Sequence, residues 1–231
     1  MKKVHLFVPC YVDQLFPEVA IHSYQLLEKL GCQVFYNPEQ TCCGQPAFNA
    51  GFVQEASEVY KKFWFDFKEA DYIVSPSSSC VGFVNNYGPQ IADFFGNRKI
   101  YELTQFIQEV LKVEQIPAKF KAKLAYHSSC ASLRECHNTS ITEHYLKQIE
   151  GIELVSFKDA ENCCGFGGSF AVKFTDISTS LGYDKLNKIA LANPTHITSN
   201  DMSCLMHLQG CQEKLALPIK IIHIAEIFNS F

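Results

Sequence analysis

The chain has 231 residues, of which 47% are hydrophobic and 19% charged, with a formal net charge of -4. A chain of this length and apolar content can bury one ordinary core or two small ones without disulfides; its acidic balance offers no basic surface for nucleic acid, and no apolar run reaches the ~18 residues of a membrane span. After Met1, Lys2 and Lys3 the apolar stretch at 4–9 is too short for a secretory core and ends in Cys10 rather than a small-residue cleavage site. The eleven cysteines, an odd number, are therefore expected to be reduced in a cytoplasmic protein, free of integral membrane segments though able to sit at a membrane through partners.

In chain order, residues 4–8 predict a short strand ending before Cys10, and residues 17–30 a helix with Ala20, Tyr24 and Leu27 on one face and Gly31 as terminator. Residues 34–36 predict a strand and 42–46 a loop. The clearest helix is 52–67, where Phe52, Val53, Ala56, Val59, Tyr60, Phe63, Trp64 and Phe67 recur at helical spacing as a core stripe. A strand at 72–74, a serine-rich approach to Cys80, and helices near 90–96 and 102–112 close the first half. Residues 115–121, with Pro117 and two lysines, predict a linker. The second half repeats the order: a strand at 124–126, a helix at about 140–149, a strand at 154–155, a helix near 173–192, a strand at 196–198, a last strand at 219–222 and a C-terminal helix. This alternation predicts an α/β fold of two tandem pseudo-symmetric repeats, 1–116 and 117–231, each a small, mainly parallel sheet flanked by helices. In open parallel sheets the ligand crevice lies beyond the carboxyl ends of the strands, and the lone cysteines are expected in loops there.

One cysteine pattern occurs twice. Cys10, Cys42-Cys43-Gly44 and Cys80 are repeated as Cys130, Cys163-Cys164-Gly165 and Cys204, with offsets of 120, 121, 121 and 124 residues. Eight thiols in register are what two equivalent soft-metal sites require. Four thiolates can hold a [4Fe-4S] cluster, so Cys10, Cys42, Cys43 and Cys80 form one candidate set and Cys130, Cys163, Cys164 and Cys204 the other. Gly44 and Gly165 can adopt positive φ and lack a Cβ that would crowd a cluster. Ser77, Ser78, Ser79, Ser128 and Ser129 are candidate hydrogen-bond donors to cluster sulfur.

Other features carry less. Cys32, Cys136 and Cys211 fall outside the pattern and are expected as small core hydrophobes. His127 is a candidate to tune the second cluster or act as a base, set against a structural histidine at a strand end. The run Gly165-Phe166-Gly167-Gly168 lacks the third glycine of a dinucleotide fingerprint, because Phe170 stands there, and no phosphate-loop lysine follows. No flavin or nicotinamide motif is present. Asn138-Thr139-Ser140 is a glycosylation sequon without meaning inside a cell. Zinc is an alternative metal for the thiols, although the spacing is not that of a zinc ribbon or finger.

Taken with their flanks, these motifs resemble a known family. The duplicated pattern looks like the cysteine-rich CCG domain of the heterodisulfide reductase B subunit and of the iron-sulfur subunits of glycolate and glycerol-3-phosphate oxidising systems. Cys10-Tyr11-Val12-Asp13, Cys42-Cys43-Gly44-Gln45-Pro46, the 75–80 segment from Ser75 to Cys80, Asn162 through Gly168, Ser203-Cys204-Leu205-Met206 and His223-Ile224-Ala225-Glu226 resemble the lactate-utilisation protein A family end to end. That resemblance implies an iron-sulfur electron-transfer subunit of a system oxidising L-lactate to pyruvate, with two [4Fe-4S] clusters on the eight cysteines. Its implied partners are a larger ferredoxin-like iron-sulfur protein and a small third protein. The heterodisulfide reductase relatives end each motif in C-x-x-C, but here Phe83 and His207 stand at those positions, which excludes five-thiolate ligation from these motifs alone, puts heterodisulfide chemistry in doubt and makes His207 a candidate extra ligand. Arg134, four residues after Cys130, looks like the family's C-x3-R and is a candidate for binding an anion or tuning the second cluster; the alternative is a surface ion pair. An iron-sulfur subunit for another 2-hydroxy acid such as glycolate, a quinone-linked reductase subunit, and a non-enzymatic metal-binding or assembly protein remain the other classes.

Overall fold

The computed structural model describes residues 1–92 and 99–231, and these form two compact units, Met1–Lys112 and Val113–Phe231. The first unit contains four strands, β1 (Lys2–Leu6), β2 (Cys32–Tyr36), β3 (Tyr72–Ser75) and β4 (Ile100–Glu102), in the order β2-β1-β3-β4. The second contains β5 (Lys119–Tyr126), β6 (Glu150–Val155), β7 (His196–Ser199) and β8 (Lys220–His223), in the order β6-β5-β7-β8. Every pairing is parallel, and helices supply the crossovers, as the alternating pattern requires. The chain is therefore α/β, built as two repeats of one topology.

Strand order reverses between β1 and β3 and again between β5 and β7. Connections leave in opposite directions at such a point, opening a crevice beyond the strand ends. Cys10 follows β1 and Cys80 follows β3; Cys130 follows β5 and Cys204 follows β7. The Cys-Cys-Gly segments follow β2 and β6, the neighbours of those strands.

The lone cysteines are not in loops, as the sequence pattern suggested, but in the first turns of helices. Cys10 begins the helix Cys10–Leu15 and Cys130 the helix Cys130–Arg134; Cys80 lies in Ser78–Gly82 and Cys204 in Met202–Lys214. Serines explain two of these starts. The Ser77 hydroxyl accepts from the Cys80 amide at 3.4 Å, and the Ser129 hydroxyl from the Ser132 amide at 3.0 Å, so both act as helix caps.

Several boundaries shift for physical reasons. β5 begins at Lys119 and takes up the last three residues of the expected linker, where parallel pairing with β6 satisfies the backbone groups. β4 has three residues, too few to display alternation. The helix expected near 90–96 is seen as Gly88–Ile91, the remainder lying outside the described residues, and 102–112 becomes the short helix Leu103–Gln105 running into a wider π turn over Phe106–Val110.

The cores follow the helix stripes with two corrections. In Val53–Asp66 the buried side chains include Ala56, Tyr60, Phe63 and Trp64, whereas Phe52 and Val53, at the helix start, project outward and are exposed. In Pro17–Lys29 the buried face is Val19, Ser23, Leu26 and Leu27, one step round from the face expected. Phe7 on the exit of β1 meets Phe63 edge-on, with ring centroids 5.0 Å apart, and each such buried ring contributes about 1.5–3 kcal/mol. Cys32, Cys136 and Cys211 are buried as core residues.

Candidate metal centres

Each Cys-Cys-Gly segment makes a sharp turn that places two consecutive thiols toward the crevice. Gly44 has φ +99° and Gly165 φ +97°, backbone that side chains with a Cβ rarely adopt. The turn also directs an amide at sulfur: Gly44 N–H donates to Cys42 Sγ at 3.4 Å, and Gly165 N–H to Cys163 Sγ at 3.3 Å. The space is filled to contact, since a Cβ on Gly165 would lie 2.4 Å from the Ser178 carbonyl oxygen.

The four thiols of each unit form a continuous chain in the same order. In the first unit Cys10 meets Cys42, Cys42 meets Cys43, and Cys43 Sγ lies 3.5 Å from Cys80 Sγ. In the second, Cys130 meets Cys163, Cys163 meets Cys164, and Cys164 meets Cys204. All eight are free thiols. Their acidities show how crowded the sites are. The hydrogen bond with Cys42, followed by burial, pushes Cys10 upward. Cys42 is helped toward thiolate by Cys10, but Cys43 and burial leave it up at about 11. In the second unit Cys130 and Cys164 both donate to Cys163, which is driven down while Cys130 and Cys164 are driven up. Four adjacent thiols cannot ionise together without a cation, and a metal that takes thiolate ligands supplies the missing charge. Soft donors, crowding and a glycine-lined cradle fit a metal or iron-sulfur group.

Beyond the thiols the two sites differ. His127 is wholly buried, neither ring nitrogen has a hydrogen-bond partner, and one ligand atom each from His127, Cys164 and Cys204 lie within 4.8 Å of one another. Burial first, then the Lys185 charge, holds its pKa down at about 3, so the imidazole is neutral. Lys185 is buried as well; its ammonium donates to the carbonyls of Asp159 (3.0 Å) and Ala160 (2.9 Å), tying down the loop that leads to Cys163. Burial lowers its pKa while the nearby thiols Cys164, Cys130 and Cys163 oppose that shift. The sequence reading missed Lys185. Its signal was a lysine in step with Ser178, Gly182 and Ile189 on the buried face of the helix Thr175–Ala190.

The remaining candidates are placed as follows. His207 Nε2 donates to the Ser178 carbonyl at 3.1 Å, so that nitrogen is committed to holding helix to helix. Arg134 is exposed at the end of the helix that Cys130 begins, close enough for its charge to favour the Cys130 thiolate. Among the described residues no helix is long and apolar enough to cross a membrane.

A tandem pair of parallel α/β units, each gathering four thiols at its topological switch point, defines a duplicated cysteine-rich protein whose thiols suit a metal or iron-sulfur group. The cysteine-rich CCG domain family matches residues 4–85 and again 124–209. The lactate utilization protein A of Geobacillus sp. (strain WCH70) is 40% identical, covering 99% of each chain, and that of Exiguobacterium sp. (strain ATCC BAA-1283 / AT1b) is 41% identical over 99% of this chain and 98% of the relative. The chain belongs to the lactate utilization protein A family. Among solved structures, a hypothetical protein from Helicobacter pylori shares the fold with a TM-score of 0.65 at 12% identity; the match covers 98% of this chain and spans 48% of that one.

Proposed function

We propose that this chain is an iron-sulfur electron-transfer subunit in the oxidation of L-lactate to pyruvate. The observation that carries the reading is the pair of four-thiol chains, each continuous and in the same order. Cys10, Cys42, Cys43 and Cys80 would hold one [4Fe-4S] cluster, and Cys130, Cys163, Cys164 and Cys204 the other, with each repeat, 1–116 and 117–231, as one cluster module. When bound, such clusters supply one-electron transfer. Oxidising lactate to pyruvate releases two electrons and two protons, so two one-electron centres suit the stoichiometry. The protein's own groups contribute the rest: burial of Cys43 and Cys164 excludes water, the glycine amides donate to Cys42 and Cys163, and Lys185 fixes the second thiol loop. Arg134, exposed beside Cys130, is the group suited to an anion such as a carboxylate.

The substrate follows from the family, whose members carry lactate utilization in their name. Such a role places the chain in the cytoplasm with a ferredoxin-like iron-sulfur partner and a small third subunit, either free or at a membrane through them. The test is anaerobic purification with iron, sulfide and zinc measured per chain. About eight irons and eight sulfides are expected for two cubanes; zinc alone would overturn the electron-transfer reading in favour of a structural metal protein. Deletion of the gene should then abolish growth on lactate and spare growth on glycolate, and the reverse would reassign the substrate.

A further inference from the structure

The repeat lets each residue of one site be compared with its counterpart in the other. His127 stands three residues before Cys130, and Phe7 three residues before Cys10. Both leave their strands in the same way: Phe7 N–H donates to the Val74 carbonyl at 2.8 Å and His127 N–H to the Thr198 carbonyl at 2.8 Å. The side chains then do different things. Phe7 packs edge-on against Phe63 and Phe67, with centroids 5.0 and 5.9 Å away, an apolar ring in an apolar pocket. His127 is equally buried, yet both its nitrogens lack hydrogen-bond partners.

An imidazole buried in this way is costly, because each polar atom left without a partner forfeits the hydrogen bond it would make to water. A phenylalanine, as in the first repeat, would fill similar space without that cost. What the histidine adds is a lone pair, and it is placed beside two thiols: its ligand atom, Cys164 Sγ and Cys204 Sγ lie within 4.8 Å of one another. Its lone pair is therefore within side-chain reach of a metal group taken up by these two thiols, as one more donor beside them. His207 does not compete for this place, because its Nε2 is held by Ser178.

We propose that His127 is a nitrogen ligand of the metal centre in the second repeat, beside Cys164 and Cys204, so that the two repeats hold unlike centres: thiolate only in the first, imidazole and thiolate in the second. The proposal rests on the reading that the second repeat binds metal. Where the imidazole takes the place of one of the four thiolates at an iron, the centre is one unit less negative, and the buried Lys185 ammonium acts in the same direction, so the second centre then has the higher reduction potential of the two.

The experiment uses the full chain reconstituted anaerobically with iron and sulfide, prepared once with natural nitrogen and once with 15N-histidine. Iron and sulfide are measured first, and pulsed electron paramagnetic resonance is recorded after reduction by dithionite. The expected result is a nitrogen hyperfine coupling of directly bonded strength that changes with the histidine label, is lost in His127→Leu and persists in His207→Gln. The wild-type label comparison decides the matter even where His127→Leu folds poorly. Bound iron with no label-sensitive coupling, or a coupling that survives His127→Leu, overturns the His127 assignment and leaves the cluster reading standing. Absence of bound iron overturns both.

Discussion

Gly44→Ala and Gly165→Ala form a matched pair that tests how tightly the thiol turns are built. The two glycines have nearly the same φ, +99° and +97°, so an added Cβ meets the same left-handed backbone penalty, about 1–2 kcal/mol, at both. Their surroundings differ. At Gly44 the nearest atom to a Cβ would be the Ala56 carbonyl oxygen at 3.1 Å, a contact relieved by a shift of only a few tenths of an ångström. At Gly165 it would be the Ser178 carbonyl oxygen at 2.4 Å, with Leu181 Cβ at 2.8 Å; both are fixed by the helix Thr175–Ala190, and Ser178 also donates its hydroxyl back to the Gly165 carbonyl. Overpacking against such fixed atoms adds about 1–3 kcal/mol. Gly44→Ala should therefore cost about 1–2 kcal/mol and Gly165→Ala about 2–5 kcal/mol. Urea-dependent hydrogen exchange read by mass spectrometry resolves the two units separately and is the suitable assay. Equal losses, or a larger loss at Gly44, would refute the reasoning from close approach.

Two further outcomes are expected. Lys185→Met removes the donor to two carbonyls, at about 0.5–1.5 kcal/mol for each hydrogen bond lost because Asp159 is exposed and water can replace the ammonium, and should raise hydrogen exchange across residues 157–165 in the metal-free protein; unchanged exchange there would show that the ammonium does not hold the loop. His5 lies against Phe35 at 5.2 Å, and burial holds its pKa below the ordinary 6.5 despite opposition from Asp71. Below pH 6.5 the unfolded chain takes a proton that folded His5 resists, so the first unit should lose stability as the pH falls through that window. His5→Phe should reduce the loss between pH 7 and pH 5 in urea unfolding, and an identical loss in both proteins would exclude His5 as a source.

The sequence by itself determined the α/β alternation, the duplication and the eight thiols, because these are local or periodic properties: a two-residue or helical hydrophobic period, a fixed offset near 120, a glycine after each cysteine pair. It also identified positions 44 and 165 as places for left-handed backbone. It did not place the lone cysteines in helical first turns, because the caps that start those helices are serines whose partners become clear only once the turn has formed. Nor did it distinguish His127 from an ordinary strand-end histidine or single out Lys185 among the lysines. Whether a polar side chain is buried, and whether it finds a partner there, depends on atoms brought in from distant segments: Cys164 and Cys204 for His127, Asp159 and Ala160 for Lys185. Those encounters are set by the parallel crossovers that join strand ends far apart in the chain, and only the tertiary structure makes the two sites, so alike in their cysteines, different in what surrounds them.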